Sequence, residues 1–323
     1  MRAIHALRGG IRVPAVLAFF GACLLTLGAA ATALADDVYR PLVLAYTTSG
    51  SDVSGEVETV RERLEEADFQ TLGEYPVSDD RHVIVVTHDD LLAVAGSQDR
   101  AAYIAPIRVA VTATNGGVQV SYNNLEYFRH AYRIDDSVNA VSSRLAEVLG
   151  DEQHFGSEDG MTPRELQRYR YTFGMERFNA PYDLGSHGSR SAALEELDAG
   201  LGDRRGGVSE IYRLDIPGTD ATLIGVAIRA DDGADSEATD LNTLETIDVR
   251  ELRHTAYVPY EILVEGGDIE ALHMRFRAAL HWPDLRMLGD HSFMQLRRVP
   301  GALEDTLREV AGFEEPADDG FDW

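Results

Sequence analysis

The stretch Ala102-Tyr103-Ile104-Ala105-Pro106-Ile107-Arg108-Val109-Ala110-Val111 can be set beside Ala256-Tyr257-Val258-Pro259-Tyr260-Glu261-Ile262-Leu263-Val264. Each passes from an Ala-Tyr pair through a proline into a β-forming run. Glycine turns follow, Gly116-Gly117 in one and Gly266-Gly267 in the other, and then a second strand of apolar alternation. A helical stretch closes each unit, over 138–149 and over 303–310. This recurrence predicts an α+β fold from an internal duplication: two related modules, each an antiparallel or mixed sheet with helices packed on one side.

Outward from the first hairpin, residues 41–46 read as a strand and 47–50 as its turn. Val57, Val60, Leu64 and Ala67 recur at spacings of three and four, which marks an amphipathic helix with one core stripe. Strands are expected over 69–77 and 82–87, with a short helix on Leu91, Leu92 and Ala95. The first module therefore spans 36–150. An acidic, glycine-containing break opens a linker over 151–174, in which Thr162-Pro163 with Glu165 starts a short helix. The second module covers 175–323, with a helix over 192–201, strands over 209–214 and 221–228, and a solvated acidic loop over 231–240.

The N-terminus carries Arg2, Arg8 and Arg12, then an apolar run, then Ala33-Leu34-Ala35 before Asp36, the pattern of a cleaved export signal over residues 1–35. Periplasmic or secreted location follows, with no integral membrane segment after cleavage. Lipid anchoring through Cys23 is disfavoured, because Phe20 stands where a lipobox places Leu and apolar sequence continues beyond the cysteine. Cleavage would remove the single cysteine, and with it any disulfide or thiolate chemistry. The chain has 29 basic and 55 acidic residues, a formal net charge of −26, and no lysine. That balance opposes nucleic-acid binding, which draws its affinity from basic groups on phosphates. It suits an acidic protein kept soluble in a salty medium, as in a halophile.

The runs His82-Val83-Ile84-Val85-Val86-Thr87, Val118-Gln119-Val120-Ser121-Tyr122-Asn123-Asn124 and Ala131-Tyr132-Arg133, together with 106–111, resemble the bacterial domain-of-unknown-function 302 (DUF302) family. Tyr260-Glu261-Ile262-Leu263-Val264, Ala271-Leu272-His273-Met274-Arg275-Phe276-Arg277 and Trp282-Pro283-Asp284-Leu285 look like the second module of exported members. The resemblance covers nearly the whole mature chain and implies compact α+β modules and a homodimer, without an established activity. Where that family tends to place proline after the strand asparagine, this chain has Asn124-Leu125.

His273, Met274, His281, Met287, His291 and Met294 crowd the C-terminal module. Imidazole plus thioether suits copper, or the axial positions of a non-covalently bound haem, so His273, His281, His291, Met287 and Met294 are the candidate metal ligands. Read as a strand, 273–277 places His273 and Arg275 on one face and Met274 on the other. Ser186, Gly188 and Arg190 precede a helix and form a candidate anion cradle. Tyr103, Tyr122, Tyr127, Tyr132 and Arg133, with Phe128 and His130, could line a cleft or fill a core. Cys-x-x-Cys-His, His-Glu-x-x-His and Gly-x-Ser-x-Gly are all absent. The expected function is an exported, envelope-associated binding or accessory protein whose partner is a small molecule or an envelope protein. A copper or haem protein is the alternative, and an uncharacterised hydrolase is the third.

Overall fold

The computed structural model describes residues 37–313, so the export segment, Cys23 and the residues from 314 on lie outside the described residues. The first half contains β1 (Leu42–Thr48), α1 (Val53–Glu66), β2 (Gln70–Ser78), β3 (Arg81–Thr87), α2 (Asp89–Ala95), β4 (Ile107–Thr114), β5 (Gly117–Asn123), α3 (Leu125–Ala131) and α4 (Asn139–Leu149). After β6 (Gln153–Phe155) and α5 (Pro163–Gln167) come β7 (Tyr182–Ser186), α6 (Arg190–Gly202), β8 (Val208–Asp215), β9 (Ala221–Ile228), α7 (Asp240–Ile247), β10 (Tyr260–Glu265), β11 (Asp268–Ala271), α8 (Met274–His281) and α9 (Val299–Val310).

These elements form an α+β fold with two sheets and helices beside each. The first sheet has the order β2-β3-β4-β5-β1-β6 and the second β7-β11-β10-β9-β8. Every adjacent pair is antiparallel. Counted from β2 and from β8, the two orders coincide strand for strand, and β6 is an extra edge on the first. That edge comes from the stretch expected to be linker, where Gln153–Phe155 pairs with β1.

Local chemistry explains the helices. Asp52 accepts from the Gly55 amide to cap α1, whose Val57, Val60 and Leu64 are buried. Thr162 and Glu165 form a reciprocal capping box on α5, with Pro163 at its first position. Ser189 caps α6, and Ala193, Leu197 and Leu201 form its buried stripe. The helices α1 and α4 contact strands of the first sheet, and α6 and α9 contact strands of the second.

Three sequence expectations change. The chain after β11 is helical rather than extended: His273 caps α8, its Nδ1 accepting from the Arg275 amide. Its counterpart α3, capped by Asn124, is a further helix that the sequence pattern does not announce. Asp240, placed at the end of a solvated loop, is instead a buried first residue of α7, accepting from the Tyr75 hydroxyl and the Ile228 amide.

The halves pack through exchanged turns. The 3₁₀ turn Thr255–Tyr257 lies against β3, β4 and β5, while the turn Ala101–Ile104 lies against β9 and β10. The edge strands β2 and β8 also meet. Gly73 permits this approach, since a Cβ there would fall 2.3 Å from the Ile211 carbonyl oxygen.

Candidate functional site

The structure separates the three histidines of the expected metal set. His281 is fully buried, its Nδ1 against the Arg277 carbonyl oxygen at 2.9 Å. His291 is exposed, with Nδ1 2.7 Å from the Thr246 carbonyl oxygen. His273 packs on the Tyr182 ring at 4.2 Å and lies 3.5 Å from Glu176. Burial drives its pKa down to about 4, against the opposing pull of Glu176. Among the described residues, no group of three or more His, Cys, Asp or Glu could hold a metal ion. The methionines behave differently, because Met287 and Met294 line one cleft.

In the expected anion cradle, the polar groups are turned toward carboxylates. Ser186 donates to Asp268 at 2.6 Å, and the Arg190 guanidinium pairs with Asp215 and donates to Thr222. Gly188 directly precedes the Ser189 cap, whose hydroxyl already accepts from the Ala192 amide.

Two polar assemblies went unread in the sequence. The first is a buried cluster between the halves, in which Arg277 Nε and Nη1 have no hydrogen-bond partner. Arg108 on β4 pairs with Glu261 on β10 and donates from Nε to the Asn123 side chain and the Ala256 carbonyl oxygen. Glu261 also accepts from the Tyr212 hydroxyl at 3.2 Å. Gly225 makes that possible, because a Cβ there would lie 1.9 Å from the Tyr212 ring. Arg277 donates to the carbonyl oxygens of Tyr257 and Pro259, and its guanidinium lies over the rings of Tyr257 and Tyr260. All three charged side chains are at most 3% exposed. The aromatic candidates divide accordingly: Tyr103, Tyr127 and Tyr132 are core residues, and Arg133 donates to the Gln167 carbonyl oxygen.

The second assembly is an accessible cleft of about 120 Å³ beside β6. Strand register builds one wall, since His154 on β6 pairs with Val43 on β1, and Val43 with Tyr122 on β5. Residues in such a row share a face of the sheet. Ser142 and Leu145 reach the cleft from α4, Glu126 from the first turn of α3, and Tyr39 from the chain before β1. Glu126 Oε2 accepts from Arg129 at 2.9 Å, but Oε1 is buried with no partner. Ser142 Oγ is likewise buried and unpartnered. His154 engages both ring nitrogens, Nδ1 with the Asn124 amide at 3.4 Å and Nε2 with Asp151 at 3.0 Å. Behind the cleft His130 packs on Tyr39, and its pKa is lowered by burial and by Arg129.

Such a cleft combines an apolar wall with a carboxylate residue and a hydroxyl residue whose unpartnered oxygens lie covered at its edge. It lacks a formed nucleophile–base pair, because neither nitrogen of His154 is hydrogen-bonded to Ser142. No helix among the described residues is long and apolar enough to cross a membrane. No family model, curated protein or solved structure matches the chain.

Proposed function

We propose that the chain is an exported, envelope-associated binding protein that holds a small donor-rich ligand, such as a primary amine, in the cleft beside β6. The observation that carries this reading is the pair of unpartnered polar atoms, Glu126 Oε1 and Ser142 Oγ, on residues lining one cavity. A buried polar group left without a partner costs about 1–3 kcal/mol, so a ligand that uncovers both oxygens by a side-chain shift and bonds them recovers that cost on binding. An ammonium group donates to the carboxylate, and its carbon stem rests on Val43, Leu125 and Leu145. The volume, about 120 Å³, restricts the ligand to a few heavy atoms. Export rests on the N-terminal signal pattern, and kinship with the DUF302 family on strand patterns such as those of 82–87 and 118–124.

The test is ligand-detected NMR of methylamine, ethanolamine and guanidine against the full chain. Saturable binding is expected for at least one of them, weakened about tenfold by Glu126→Gln, which corresponds to about 1.4 kcal/mol. Absence of saturable binding, or binding unchanged in both Glu126→Gln and Ser142→Ala, rejects the proposal.

A further inference from the structure

The second half carries a cleft of different chemistry, about 170 Å³ in volume, lined by Met175, Met274, Met287 and Met294. The whole chain has six methionines, so two-thirds of them face one cavity. They arrive from three separate segments. Met274 is the first residue of α8 and is buried. Met175 lies in the connection before β7, just after a turn closed by its own amide on the Thr172 carbonyl oxygen. Met287 and Met294 belong to a loop that doubles back on itself. The Met294 amide donates to the Met287 carbonyl oxygen at 3.2 Å, and the Phe293 amide to that of Arg286 at 3.1 Å.

From this convergence we infer that the cleft is a binding site for a soft monovalent cation, Cu(I) or Ag(I), held by methionine thioethers alone. Thioether sulfur is a neutral, polarisable donor that favours such ions over harder or borderline ones. The site differs from the mixed imidazole and thioether set expected from sequence, because none of the three histidines lines it and Met175 and Met274 complete it. Arg275 and Arg297 stand in the wall, but the Arg275 guanidinium is neutralised by Glu176 at 3.0 Å, and Glu176 Oε2 is buried without a partner. Met287 is half-buried and Met294 is 42% exposed, which gives a cation a route from solvent. Binding forms sulfur–metal bonds without any change of oxidation state and releases no proton.

The experiment uses the full chain carrying Cys23→Ser, which removes the single thiol, with methyl-labelled methionine, titrated with Ag(I), and with Cu(I) under anaerobic competition by a chromogenic chelator. One equivalent is expected to bind, shifting the methyl signals of Met175, Met274, Met287 and Met294 and leaving Met161 unmoved. Zn(II) is expected to shift none of them. Met287→Leu and Met294→Leu, at accessible positions where folding tolerates the change, are each expected to weaken binding at least tenfold, with Met161→Leu as the silent control. Affinity is expected to stay constant between pH 8 and pH 6, which a histidine site would not show. Overturning results are methyl signals that do not move, stoichiometric binding that survives both leucine variants, or an affinity that collapses with acid.

Discussion

Arg108 and Glu261 are buried charged residues inside largely apolar strands, and they occupy matching places in the two segments that define the fold. Each is neutralised across the halves by the other and is bonded within its own half as well, Arg108 to Asn123 and Glu261 to Tyr212 and Arg277. The carboxylate faces Arg108, Arg277 and the Tyr212 hydroxyl, so Glu261→Leu leaves two guanidinium groups in the interior with one neutralising partner fewer. Removing one member of a buried ion pair destabilises by about 3–5 kcal/mol, well above the effect of an exposed pair. Urea unfolding of Glu261→Leu is expected to show a loss of that size. The double variant Glu261→Leu/Arg108→Met is expected to recover part of it, because one orphaned charge is gone. A single variant within about 0.5 kcal/mol of the parent would show that the cluster does not hold the halves together.

At the scale of elements, Asn124 closes β5 and opens α3 at once. Its Oδ1 accepts from the Tyr127 amide, and its Nδ2 donates to the Arg40 carbonyl oxygen at 2.8 Å. Asn124→Ala is expected to cost about 1–2 kcal/mol in urea unfolding, the usual value of an N-cap, while Asn124→Asp keeps the cap acceptor and costs less. Equal losses in the two variants would assign the stability to the Arg40 contact instead. The same residue explains what was legible in the sequence. Strands such as His82–Thr87 announced themselves by β-branched runs, and α1, α6 and α9 by apolar spacing of three and four. The short helices α3 and α8 did not, because apolar residues continue from strand into helix without a break, and His273 is not a usual capping residue. The cleft beside β6 was still less visible. Tyr39, Glu126, Ser142 and His154 are scattered over more than a hundred positions, and only antiparallel register with one extra edge strand gathers them. The methionine cleft was half legible: the density of Met287 and Met294 signalled soft ligands, but a helix where a strand was expected changed their partners.

Across the whole molecule, burial of titratable groups sets the response to acid, with two opposing contributions. His254 is buried, stacked on Trp282, and its pKa falls to about 3 through desolvation, while His281 is pushed well below the ordinary histidine value of 6.5 by burial, Arg108 and Arg277. As the pH falls below 6.5, these imidazoles take up protons only in the unfolded chain, so folding stability decreases. Asp240 and Asp248 act in the other direction: burial raises each carboxyl from 3.8 to about 6, the folded state binds their protons first, and stability increases as the pH falls from 6 toward 3.8. The histidine contribution begins at higher pH and persists to lower pH than the carboxyl contribution, and His273 adds to it through its own lowered value. Stability is therefore expected to drop by about 1 kcal/mol or more between pH 7 and pH 5, since each tenfold difference in proton affinity between the folded and unfolded chain is worth about 1.4 kcal/mol. Urea midpoints measured across that range test the sign. In His254→Asn the slope against pH is expected to flatten whatever the variant's absolute stability, whereas in Asp240→Asn it is expected to steepen. A parent protein that becomes more stable toward pH 5 would mean that the two carboxyls outweigh the histidines and that acid tightens the packing of α7 on Tyr75.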